Sequence, residues 1–102
     1  MIAALEEKQE ALRELCRKYH VQEFYAFGSA VEGGFEEGRS DYDFLVRFLP
    51  AEPFEHADRY WGLLQDLEGL FGSPVDLVEI NCVTNSYMQK AIEETKVALY
   101  AA

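Results

Sequence analysis

Between Ser40 and Phe48 the chain reads Ser-Asp-Tyr-Asp-Phe-Leu-Val-Arg-Phe, with aromatic and β-branched residues at every second position. Alternation of this kind predicts a strand with two unlike faces. Tyr42, Phe44, Val46 and Phe48 share one face, and Asp41, Asp43, Leu45 and Arg47 share the other. The aromatic face has to be covered, so the chain needs a helical layer against a sheet. The opposite face then carries two carboxylates roughly 7 Å apart, from about 3.3 Å of rise per residue. Their repulsion is about 2 kcal/mol at an effective dielectric near 20. Water absorbs that repulsion, and a divalent cation turns it into attraction.

The flanking segments supply the layers. Apolar residues at Ile2, Leu5, Leu12, Leu15, Cys16 and Tyr19 fall on one face of a helix expected over 2–19, with Glu, Lys and Arg opposite. Val21 to Phe27 reads as a strand ending at Gly28, after which Ser29 caps a short helix. Residues 32–39 contain three glycines and no periodicity, and are expected to form a loop. After Pro50 and Pro53, the stripe Phe54, Ala57, Tyr60, Trp61, Leu64, Leu67, Phe71 marks a second long helix that stops at Gly72. Pro74 to Ile80 is a third strand, Asn85 or Ser86 caps a short helix through Thr95, and Val97 to Tyr100 is a terminal apolar run with strand character. Helices alternating with strands predict one α/β (α+β) domain over 1–102, a mixed sheet with helices packed over it and the active face on the surface they leave open. Tyr60, Trp61 and Phe71 are expected in the core, Cys16 and Cys82 as small buried thiols, and His20 and His56 as ordinary boundary residues.

Composition narrows the function. Nine basic against nineteen acidic residues give a net charge of −10, which argues against a long nucleic acid as partner. The same charge repels a free nucleoside triphosphate, so such a ligand should arrive with magnesium. No run approaches the roughly 20 apolar residues of a membrane span, and the N-terminus lacks a signal-peptide core, so a cytoplasmic protein is expected.

A third acid, Asp76 in Val75-Asp76-Leu77-Val78, lies on a strand-like segment, and Gly28-Ser29 closes another. Nucleotidyl and phosphoryl transfers rest on positioning and metal ions, and two ions about 3.5–4 Å apart stabilise the attacking and leaving oxygens. Asp41 and Asp43 suit that bridging role, and Asp76 suits a ligand that activates the attacking hydroxyl. Hard oxygen donors point to two Mg2+ ions, with Mn2+ as the substitute. The small Gly28-Ser29 turn has the features of a phosphate cradle.

The combination Phe27-Gly28-Ser29, Ser40-Asp41-Tyr42-Asp43-Phe44-Leu45-Val46 and Val75-Asp76-Leu77-Val78, with the tail from Asn85 to Tyr100, resembles the minimal nucleotidyltransferase family of the DNA polymerase β-like superfamily. The resemblance covers nearly the whole chain. It implies transfer of a nucleoside monophosphate, with AMP from ATP as the expected case, to a hydroxyl with release of pyrophosphate. It implies Asp41, Asp43 and Asp76 as catalytic metal ligands, with Gly28, Ser29 and Ser40 on the nucleotide. Many members are antitoxins paired with a HEPN-domain ribonuclease toxin, and some add AMP to a toxin tyrosine. One departure stands out: the family usually runs Gly-Ser-x-Ala-Arg-Gly, and this chain has Glu32 at the arginine position. The following loop is one residue longer than usual, and Arg39 is the candidate to restore the lost charge.

Three readings follow: an enzyme acting on a HEPN partner, an antitoxin of the same fold that blocks the partner by contact alone, and a nucleotide-sensing domain. The third leaves Asp76 unexplained. Self-association through the apolar C-terminal run stays open.

Overall fold

A computed structural model describes residues 3–32 and 41–102. The elements follow in the order α1 (Ala3–Glu7), α2 (Gln9–Lys18), β1 (Val21–Phe27), α3 (Ser29–Glu32), β2 (Tyr42–Phe48), α4 (Pro53–Phe71), β3 (Val75–Glu79), a 3-10 turn (Ile80–Cys82), α5 (Ser86–Thr95) and β4 (Val97–Ala101). The four strands form one sheet in the order β3-β2-β1-β4. β1 runs antiparallel to both β2 and β4, while β2 and β3 are parallel, with α4 as their crossover. The mixed sheet expected from the alternating elements is therefore present, and the apolar C-terminal run is its fourth strand.

The aromatic face of β2 forms the main core. Tyr42, Phe44, Val46 and Phe48 are buried with Phe24 and Ala26 of β1, Leu12 and Cys16 of α2, and Leu63, Leu67 and Phe71 of α4. Ring centroids of Tyr42 and Phe71 lie 4.5 Å apart, and those of Phe24 and Phe44 5.0 Å, within the range where aromatic pairs gain beyond area burial. α4 begins with Pro53 in its first turn and ends at Gly72, whose φ of 63° is the left-handed conformation that terminates helices.

Four expectations need correction. The first helix is two helices broken at Lys8, whose Nζ donates to the Leu70 carbonyl (2.9 Å) and lies over the Phe71 ring; it ties the N-terminal segment to the end of α4. Trp61 is 60% exposed and Phe54 89% exposed. Successive helical residues are 100° apart, so Tyr60 turns toward β3 and Trp61 turns out, its ring edge-on to that of Tyr60. Cys82 is exposed at the end of the 3-10 turn, whereas Cys16 is buried and its thiol is pushed up to about 12 by burial. The acidic face of the sheet is also partly covered: α5 lies on it, and Ile92 packs with Phe27 and Leu45 in a second small cluster. Asn85 caps α5 by accepting from the amides of Tyr87 (2.8 Å) and Met88 (3.2 Å).

Candidate functional site

The end of the sheet where β1 leaves and β2 and β3 enter carries the acidic residues. In the β2–β3 pairing Asp43 stands opposite Asp76, and in the β1–β2 pairing Phe27 stands opposite Asp43. Neighbouring strands lie about 4.8 Å apart, and paired residues point to the same face, so Asp43 and Asp76 present their carboxylates side by side. Asp41 precedes β2 and is exposed. It lies just outside the strand rather than on it.

Gly28 fits this geometry closely. Its φ is 73°, and a Cβ built there would come within 2.7 Å of Asp43 Oδ2, so any side chain at 28 would occupy the space of that carboxylate. The constraint is a close approach of backbone to carboxylate, in a conformation glycine adopts without cost. The Gly28 amide donates to Thr95 Oγ1 (3.0 Å), and Thr95 in turn donates to the Ala91 carbonyl (2.7 Å). What glycine contributes to the turn is therefore room, and its N–H is committed to α5. Ser29 is the first residue of α3 and half-buried, so it lies within the four-residue helix rather than ahead of it as a cap.

Asp43 is half-buried between like charges. Burial, then Asp76, then Asp41 push its carboxyl up to about 6. A half-buried carboxylate that ionises at a cost beside a second in-register carboxylate offers hard oxygen donors that suit a divalent cation. Among the described residues no three His, Cys, Asp or Glu side chains are arranged to hold a metal ion; the in-register pair Asp43–Asp76 brings together two of the three acids expected there. Arg39 and Ser40, expected on the nucleotide, lie outside the described residues, as does the Glu32 side chain. Arg47 is held by Glu23 at 2.9 Å, far along β2 from Asp43.

Sequence reading passed over two neighbours of the site, Thr95 and Tyr60, and one residue that meets β3 further along, His56. Thr95, read only as the end of a helix, fixes the Gly28 turn. Tyr60 donates to the Leu77 carbonyl (2.6 Å), beside Asp76, and His56 pairs with Glu79 (2.5 Å) at the far end of the same strand. The four-residue spacing of His56 and Tyr60 on one helix was the available signal. Among the described residues no helix is long and apolar enough to cross a membrane.

A family model of the nucleotidyltransferase domain matches residues 8–99. Over 94 residues the chain is 35% identical to MJ1379 of Methanocaldococcus jannaschii, provisionally named a protein adenylyltransferase; the match spans 88% of this chain and 92% of that protein. A solved structure provisionally assigned as a minimal nucleotidyltransferase shares the fold with a TM-score of 0.73 and 27% identity, over 91% of this chain and 90% of its own. A chain from the Shewanella oneidensis complex of a tri-AMPylated HEPN toxin with an MNT antitoxin does so at a TM-score of 0.64 and 20% identity, over 95% of this chain and 72% of its own.

Proposed function

The chain belongs to the nucleotidyltransferase domain family, and from that premise we propose that it transfers AMP from ATP to a hydroxyl, a tyrosine of a HEPN-type partner, and so acts as the antitoxin of a pair. The observation that carries this reading is the in-register pair Asp43–Asp76 with Gly28 closed against it. The protein adenylyltransferase name of the archaeal relative and the AMPylated HEPN toxin in the Shewanella complex support the reaction and the partner.

In this proposal Asp43 and Asp76, joined by Asp41 just ahead of β2, would hold Mg2+. When bound, the metal neutralises the triphosphate and stabilises charge on the attacking and leaving oxygens. Asp76 is exposed at this end of the sheet, where an acceptor hydroxyl can approach, and orients that hydroxyl and draws on its proton. Gly28 leaves space beside Asp43, and Ser29, Ser40 and Arg39 contact the phosphates. The acceptor oxygen bonds to the α-phosphorus, the bond to the bridging oxygen breaks, and pyrophosphate leaves. The net charge of −10 disfavours metal-free nucleotide and favours a basic partner.

The test uses ATP labelled at the α-phosphate, with Mg2+ and the product of the adjacent gene. Label should pass to the partner and disappear with Asp43→Ala. Tight association without label, and neutralisation unaffected by that substitution, would instead establish a binding module. One observation favours the module, the acid at position 32.

A further inference from the structure

β3 is an edge strand, and it carries Asp76. Tyr42 donates its amide to the Pro74 carbonyl (3.1 Å), so residues of that parity bond to β2 while Val75, Leu77 and Glu79 turn their main-chain groups to the free edge. Unpaired edges of this kind are usually blunted or covered. Here α4 covers this one residue by residue. Glu68 Oε2 accepts from the Val75 amide (3.3 Å), Tyr60 Oη donates to the Leu77 carbonyl (2.6 Å), and His56 Nε2 meets Glu79 Oε1 (2.5 Å). Positions 56, 60 and 68 lie on one i, i+4 row of α4, with Leu64 filling the fourth place, and they meet positions 79, 77 and 75 in reverse order. The helix thus takes the place of a missing neighbour strand.

The middle clasp bears on the site. Leu77 follows Asp76 directly, and its side chain is buried on the core face while the Asp76 side chain points the opposite way, beside Asp43. Holding the Leu77 carbonyl fixes the Leu77–Val78 peptide plane, one residue on from Asp76, and through it the height at which the edge strand carries Asp76 against Asp43. We infer that Tyr60 is a positioning residue for Asp76: its hydroxyl, acting through the Leu77 carbonyl, keeps the edge strand where the two carboxylates can share a cation. This inference rests on the metal role proposed above for Asp43 and Asp76.

Tyr19 supplies a matched control. Its hydroxyl also makes a 2.6 Å bond, donating to Asp66 Oδ2 of α4, but on the side facing α2 and away from β3. The experiment measures Mn2+ binding by paramagnetic resonance of the free ion, with a non-hydrolysable ATP analogue present, in the wild type, Tyr60→Phe, Tyr19→Phe and Asp76→Asn. Unfolding midpoints are recorded alongside. Outer partners of metal ligands typically change affinity about 10- to 100-fold, and the lower end is expected for Tyr60→Phe, since it acts through the backbone. Tyr19→Phe should lower the midpoint by a similar few degrees and leave Mn2+ affinity unchanged. Unchanged affinity in Tyr60→Phe beside weakened binding in Asp76→Asn overturns the positioning role alone. Equal weakening in both tyrosine variants overturns it as well, by reducing the effect to general loosening. Unchanged affinity in Asp76→Asn overturns the metal reading, and the inference with it.

Discussion

Replacing Gly28 with alanine separates two costs that the structure makes distinct. The first is conformational: a left-handed backbone costs a residue with a Cβ about 1 to 2 kcal/mol. The second is steric, because the new methyl carbon would sit 2.7 Å from Asp43 Oδ2, closer than real contacts allow, so the carboxylate has to move by several tenths of an ångström or rotate away. Gly72 isolates the first cost, since it has a similar φ of 63° and nothing within 4 Å of an added Cβ. Gly72→Ala should therefore lower stability by about 1 kcal/mol and leave turnover alone. Gly28→Ala should cost at least as much stability and, through displacement of Asp43 relative to Asp76, slow nucleotidyl transfer about 100-fold, the scale of a misplacement approaching 1 Å. Urea denaturation gives the stability difference, and initial rates of pyrophosphate release at saturating ATP and Mg2+ give the second. Turnover in Gly28→Ala within twofold of Gly72→Ala would refute the argument that glycine is required there to admit the carboxylate.

The raised Asp43 carboxyl gives a signed pH dependence. With a folded value of about 6 against an unfolded 3.8, Asp43 contributes nothing to stability below both values; its cost grows between them and is full above 6. Asp43→Asn should thus stabilise the metal-free protein at pH 7.5 by about 1 to 2 kcal/mol, a figure reduced for solvent screening of a half-exposed group, and have no such effect at pH 3; equal effects at both would refute it. Stabilisation of the wild type by Mg2+ should fade as the pH falls through about 6, followed by thermal melts. Arg39→Ala should weaken ATP binding about tenfold, as expected for loss of a charged hydrogen bond, while Arg47→Ala, already engaged by Glu23, should leave it unchanged in a calorimetric titration. Asn85→Ala removes the cap on two amides of α5 and should cost about 1 kcal/mol in chemical denaturation.

The parts of this molecule governed by local periodicity were legible in the sequence. The two faces of β2, the stop of α4 at Gly72, the cap at Asn85 and the acidic strand entries follow from side-chain alternation, φ preference and short-range hydrogen bonding, all of which are local. The pairing of Asp43 with Asp76 was only suggested, because register between strands separated by a whole helix depends on how the crossover packs. The break at Lys8 was not visible, since it answers to Leu70 and Phe71 far along the chain. Trp61 was misplaced because an apolar stripe does not say which of two adjacent aromatics faces inward, and α5 on the acidic face was missed because Ile92 and Leu45, which pack in one cluster, are far apart in the chain. The closeness of Gly28 to the Asp43 carboxylate was not visible either, because no spacing rule brings the two together.

Thr95 both receives the Gly28 amide and gives its proton to Ala91, so one hydroxyl rivets the last turn of α5 to the exit of β1. A push on the outer side of that helix has a direct route to the Gly28 turn beside Asp43, without passing through the sheet. Valine, of nearly the same shape, would keep the packing and cut the linkage between the helix and the Gly28 turn.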